Sequence, residues 1–180
     1  VINAVKGHGC QIIDTTCGDV MSVWKRVRQN ATERVTSIIH GKASHEETRA
    51  TASRALGQDG LGHYLIVFNL GDAEAVADFM VHGGDADQFL ARFRGATSPG
   101  FDPLTHLERV GVANQTTMLR SETEAIQNLL REAVAQRDSG STANFRYFDT
   151  ICGATQDRQD ALFQLLNESL DLLLVVGGYN

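Results

Sequence analysis

Short runs of β-branched and aliphatic residues alternate along this chain with segments whose apolar residues recur at helical spacing. No other feature narrows the fold as far. The runs at 11–14, 37–41, 64–68, 109–113, 146–150 and 172–176 read as strands, and because helical segments separate them they are expected to pair in parallel through βαβ units. The fold class is α/β. The helical stripes are explicit: Val20, Val23, Trp24 and Val27, then Ile126, Leu129, Leu130, Ala133 and Val134, then Leu162, Leu165, Leu166 and Ser169. Each is expected to face a sheet.

Local signals refine the division. Ser44-x-x-Glu47 and Ser121-x-x-Glu124 have the capping-box pattern, in which side chains satisfy the free backbone donors of a helix's first turn. Gly83-Gly84 and the proline-bearing segment 97–103 bracket a helix around 88–94, read as an excursion from the sheet layer. The small polar stretch 137–142 marks one boundary, and a second is expected after Cys17. Three parts follow: 1–17 closing one α/β unit, 18–145 a complete second unit, and 146–180 opening a third. With Val1 in place of an initiator methionine and an apolar run just before the last residues, the chain is expected to be an internal segment of a longer protein.

Composition excludes several classes. Of 180 residues, 42% are hydrophobic, enough for a core. The net charge is -6 and the basic residues are scattered, which argues against a nucleic-acid partner. No apolar stretch has the length of a membrane span, and no signal-peptide pattern is present. Three cysteines, an odd number, point to a reducing compartment and to thiols that are either buried or ligands.

Cys17 follows Ile12-Ile13-Asp14-Thr15-Thr16 and Cys152 follows Phe148-Asp149-Thr150-Ile151, each between an apolar run and a helix start. A thiolate there gains from the helix dipole and free backbone donors, as iron-sulfur ligation requires. A free cysteine is more often a small buried hydrophobe, and with no CxxC pair the spacing alone favours that reading while leaving the ligand reading open. Cys10, at the other end of the 11–14 run, reads as structural. His45 and Glu47 occupy a helix's first turn, suited either to an anion such as a diphosphate or to plain capping. Thr116 and Thr117 end a predicted strand, with hydroxyls that can meet a substrate alcohol or cap the next helix. His8, His40, His63, His82 and His106 have no spacing that singles them out.

Taken together, Ile38-Ile39-His40-Gly41-Lys42, Ser44-His45-Glu46-Glu47-Thr48, Gly100-Phe101-Asp102-Pro103, Ala113-Asn114-Gln115-Thr116-Thr117-Met118-Leu119, the Cys152 segment and Asp171-Leu172-Leu173-Leu174-Val175-Val176-Gly177-Gly178 resemble the 4-hydroxy-3-methylbut-2-enyl diphosphate reductase family, in its plastid and cyanobacterial branch. The resemblance runs essentially end to end. It implies a trefoil-like fold of three small parallel-sheet α/β domains around a central cluster, of which this chain holds the middle domain and parts of its neighbours. It implies a [4Fe-4S] cluster with one iron not ligated by cysteine, and Cys17 and Cys152 as two of its ligands. Glu47 is then the proton donor at the departing hydroxyl, Thr116 hydrogen-bonds that hydroxyl, and His45 helps hold the diphosphate. The implied reaction is reductive dehydroxylation of an allylic diphosphate to isopentenyl and dimethylallyl diphosphate, with ferredoxin or flavodoxin as electron donor, in the cytoplasm or plastid stroma. Gly18 departs from the family's usual proline after the cysteine. Two other readings remain: a non-catalytic module of the same fold without a cluster, and a zinc site using Cys10, Cys17 and a histidine, which requires Cys10 to turn inward.

Overall fold

The computed structural model describes residues 7–148 and 152–176; the readings that involve residues 149–151 and 177–180 lie outside them. The elements run α1 (Gly18–Thr32), β1 (Thr36–His40), α2 (Glu46–Ala55), β2 (Tyr64–Val67), α3 (Leu70–His82), α4 (Ala86–Arg92), α5 (Pro103–His106), β3 (Val110–Asn114), α6 (Arg120–Arg137), β4 (Phe145–Tyr147) and α7 (Gly153–Leu165). The four strands form one parallel sheet in the order β2-β1-β3-β4. The α/β architecture expected from the alternation is therefore present.

Every residue of β1 and β3 is buried, because helices cover both faces of the sheet. Side chains alternate between those faces. Ile38, Val110 and Val112 join Val76 and Met80 of α3 and Ile126 and Leu130 of α6 in the larger core. On the other face Ala113 packs with Val23 and Val27 of α1 and Ala55 of α2, and Ile39 packs with Ala52. Phe79, Phe89 and Phe93 pack in sequence with tilted rings to fill the space between α3 and α4.

Two features set up the site. The chain leaves β1 for α2 on one face, whereas it leaves β3 for α6 on the other, so a crevice opens at the carboxyl ends of these adjacent strands. Moreover, α1 runs antiparallel to the strands: Asn30 near its end lies against Ser37 and Gly111, while Val23 lies in the cluster with Ala113. Its N-terminus, at Cys17, therefore reaches the same carboxyl edge.

Several local expectations are corrected. Residues 11–14 and 172–176 form no strand; Ile13, Leu172 and Leu174 are exposed, and neither segment has a neighbouring strand to pair with among the described residues. A strand is stable only with a partner. The stripe on α7 faces no sheet, with Leu162, Leu165 and Leu166 all exposed. Neither capping box forms. The N-cap of α2 is His45, not Ser44, and the N-cap of α6 is Leu119, which leaves Ser121 inside the helix and Glu124 paired with Arg120. β4 spans Phe145–Tyr147 and pairs with β3, so the described part of the strand expected at 146–150 is the outer strand of this sheet. The 97–103 segment stays close to the sheet, since Ile66 donates to the Ala96 carbonyl and Ser98 to that of Tyr64, covering the outer edge of β2.

Candidate functional site

The crevice between the ends of β1 and β3 brings together residues far apart in sequence. Glu47, in the first turn of α2, reaches across to the loop after β3: its Oε1 accepts the backbone N–H of Thr116 at 2.7 Å and its Oε2 accepts the Thr116 hydroxyl at 3.1 Å. Thr116 is buried and Glu47 half-buried. The carboxylate is thus held at both oxygens by one residue, which fixes its orientation at the edge of the sheet.

His45 takes over the capping role that Ser44 and Glu47 do not fill. Its Nδ1 accepts the Glu47 backbone N–H at 3.3 Å. That use of the Nδ1 lone pair leaves the ring N–H on Nε2, a donor available to an anion at the N-terminus of α2. Glu47 is consequently released from capping, and its side chain is free for Thr116.

Behind this pair the polar groups interlock. Gln115 Oε1 accepts from Thr48 Oγ1 at 2.9 Å and from the Lys42 backbone N–H at 3.2 Å, while its Nε2 donates to Thr117 Oγ1 at 2.7 Å. A β-carbon on Gly41 would sit 2.7 Å from Thr48 Oγ1 and 3.0 Å from Gln115 Cβ, so only glycine fits where the chain leaves β1. His40, fully buried at the end of β1, bonds Thr123 Oγ1 of α6 through Nδ1 at 2.8 Å, and its Nε2 stands 3.7 Å from Glu122. Burial pushes the His40 ring below its ordinary pKa, a shift that the Glu122 charge and the Phe68 backbone partly offset. The ring is held neutral as a tie between β1 and α6.

The cysteines occupy helix N-caps. Cys17 caps α1 and Cys152 caps α7, both as free thiols with no side-chain cap bond. Cys17 lies at the carboxyl edge through the direction of α1, and Cys152 follows the carboxyl end of β4. Soft sulfur donors at helix N-termini suit iron-sulfur ligation, and these two thiols are available for it. Among the described residues, no group of three or more His, Cys, Asp and Glu side chains is placed to hold a metal ion. That finding gives no support to a zinc site built from Cys10, Cys17 and a histidine.

Gln115, Thr48, Gly41 and His40 were not picked out by spacing, although they stand within the quoted phrases. The available signal was a polar run directly after an apolar strand. A pair of histidines was also hidden. His63 and His106 stack at 3.6 Å where the strands begin, the opposite end from Glu47. Burial, then His106 and Arg34, depress the His63 pKa.

The whole chain, residues 1–180, matches the family described as LytB protein. Proteins named 4-hydroxy-3-methylbut-2-enyl diphosphate reductase from Thermosynechococcus vestitus and from Nostoc sp. are 52% identical over 175 residues and 51% identical over 174 residues. Each alignment covers 96% of this chain and 42% of the relative, so the chain spans less than half the length of these proteins. Among solved structures, the E-1-hydroxy-2-methyl-but-2-enyl-4-diphosphate reductase of Plasmodium falciparum is similar with a TM-score of 0.51 at 22% identity, over 85% of this chain and 36% of that one. A structure described as (E)-4-hydroxy-3-methyl-but-2-enyl diphosphate reductase, the terminal enzyme of the non-mevalonate pathway, gives 0.53 at 23%, over 91% and 45%. At those identities the likeness concerns the fold alone. With a parallel α/β sheet shared with these structures and a family match along its entire length, this chain belongs to the LytB protein family.

Proposed function

We propose that this chain supplies the proton-handling part of an iron-sulfur reductase that removes the hydroxyl of 4-hydroxy-3-methylbut-2-enyl diphosphate to give isopentenyl and dimethylallyl diphosphate. The observation that carries the reading is the double hydrogen bond between Glu47 and Thr116 at the crevice between β1 and β3. The names of the cyanobacterial relatives supply the substrate.

Cys17 and Cys152 would hold two irons of a [4Fe-4S] cluster, the remaining cysteine coming from the length of the relatives that this chain does not span. Such a cluster, when bound, would relay the two electrons of the reduction one at a time from the external donor and would supply a Lewis-acidic iron. The chain's own residues handle protons and charge. When Glu47 carries its proton on Oε2, the hydrogen bond to Thr116 reverses: Oε2–H donates to the Thr116 hydroxyl, whose own proton then turns toward the substrate oxygen. One proton moves along this line and water departs with the hydroxyl oxygen. The second proton goes to carbon. His45 Nε2–H and the free donors at the start of α2 face an anion, the role proposed here for the diphosphate.

In this reading the four-stranded sheet and its covering helices act as one unit between parts of two neighbours, and ferredoxin or flavodoxin delivers the electrons. The test is the complete protein, purified anaerobically. Iron and sulfide content together with reduction of the hydroxy diphosphate support the reading; a protein with no cluster and no turnover overturns it in favour of a non-catalytic module.

A further inference from the structure

We propose that Gln115 is a positioning residue that clamps α2 to the loop after β3 and so keeps Glu47 on Thr116. The inference rests on the reading of Glu47 and Thr116 as the proton-handling pair. Its geometry stands independently of that reading.

Gln115 is buried, at 6% exposure, between the two strands of the crevice. Its side chain grips the residue next to each member of the pair: Thr48, which follows Glu47, donates to Oε1, and Thr117, which follows Thr116, accepts from Nε2. Oε1 also accepts from the Lys42 backbone, holding the turn that leads into α2. Its main chain is equally fixed, with its N–H on the His40 carbonyl at 2.8 Å and its carbonyl on the Met118 N–H at 3.0 Å. Thr48 is wholly buried, so the hydroxyl that meets Gln115 has no solvent alternative. The amide fills the space that a β-carbon on Gly41 would occupy, Oε1 lying 3.2 Å from that point.

Glutamine meets these demands without burying a charge. Its amide has an oxygen with two lone pairs and a nitrogen that donates, whereas asparagine is one methylene short and glutamate brings a charge into a buried position. Because Glu47 reaches Thr116 from the first turn of α2, a small rotation of that turn carries its carboxylate away. Displacements near 1 Å at a reacting group can cost on the order of 100-fold in rate.

The experiment uses the complete protein with its cluster and compares Gln115→Leu, Thr48→Val and the double variant. Expected for Gln115→Leu is a kcat roughly 10- to 100-fold lower with KM within about 3-fold, and at least ~10-fold faster hydrogen exchange at the Thr116 amide, which loses its hold on Glu47. Thr48→Val should act in the same direction, and the double variant should be no worse than Gln115→Leu alone, since both cut one linkage. Unchanged kcat and Thr116 exchange in Gln115→Leu, or losses that multiply in the double variant, overturn the proposal. Should Gln115→Leu fail to fold, Thr48→Val alone decides by the same two readouts. If the wild-type protein does not reduce the diphosphate, the functional reading falls, while the exchange measurement still decides the clamp.

Discussion

Glu47 and Thr116, 69 residues apart in sequence, meet through two hydrogen bonds at the carboxyl edge of the sheet, one from the threonine backbone and one from its hydroxyl. The two bonds separate structure from chemistry, since the first needs only the Thr116 backbone N–H and the second needs its hydroxyl.

Glu47→Gln is expected to leave the fold intact, because the amide oxygen still accepts the Thr116 backbone N–H. The proposed acid is gone. Turnover of the complete enzyme should fall about 100- to 10,000-fold, the usual span for a general acid, with cluster absorbance retained. Steady-state kinetics beside the visible spectrum check this.

Thr116→Val keeps the backbone bond and removes the hydroxyl link in the proton path. Stability should drop by only ~1 kcal/mol, while turnover falls with KM for the diphosphate nearly constant. A variant that turns over normally would remove Thr116 from the path.

Cys17→Ser and Cys152→Ser should each lower bound iron in the complete protein, whereas Cys10→Ser should leave it unchanged. Cys10 is exposed, and among the described residues its thiol makes a 4.0 Å contact to the His8 carbonyl. Equal iron loss in all three would break the assignment of Cys17 as ligand and Cys10 as bystander.

Gly41→Ala places a methyl group 2.7 Å from Thr48 Oγ1 and 3.0 Å from Gln115 Cβ. Overpacking of this kind costs about 1–3 kcal/mol. Denaturant unfolding should show a lower midpoint with an unchanged slope.

Stability should fall as the pH drops below 6.5. His40 and His63 both have folded pKa values depressed below the ordinary 6.5, each chiefly by burial. Between 6.5 and those lower values the unfolded chain binds protons that the folded chain resists, so ΔG of unfolding rises with pH across that window. Denaturant titrations at several pH values test this, and His63→Gln should flatten the slope.

Much of the sheet was legible because β1, β2 and β3 are apolar runs bounded by helical stripes, a pattern that holds wherever both faces are buried. The runs at 11–14 and 172–176 are just as apolar and form no strand, because a strand's hydrogen bonds need a neighbour and none of the described residues offers one beside them. The stripe on α7 repeats the lesson, since helical spacing identifies an apolar face without supplying a surface to bury it. Ser44-x-x-Glu47 shows the limit at the site itself: a local rule assigns Glu47 to its own helix, yet the loop after β3 offers its carboxylate two donors and His45 fills the cap.

By itself, then, the sequence determined the alternation of strands and helices, the parallel pairing that such alternation forces, and the candidate residues Cys17, His45, Glu47, Thr116 and Cys152. Only the tertiary structure decided the strand order β2-β1-β3-β4, and with it the meeting of Glu47, Thr48, Gln115 and Thr116. The reason is physical. Periodicity records which face of a segment is buried, whereas the crevice exists because the chain crosses over β1 and leaves adjacent strands toward opposite faces, a choice made by contacts between distant segments.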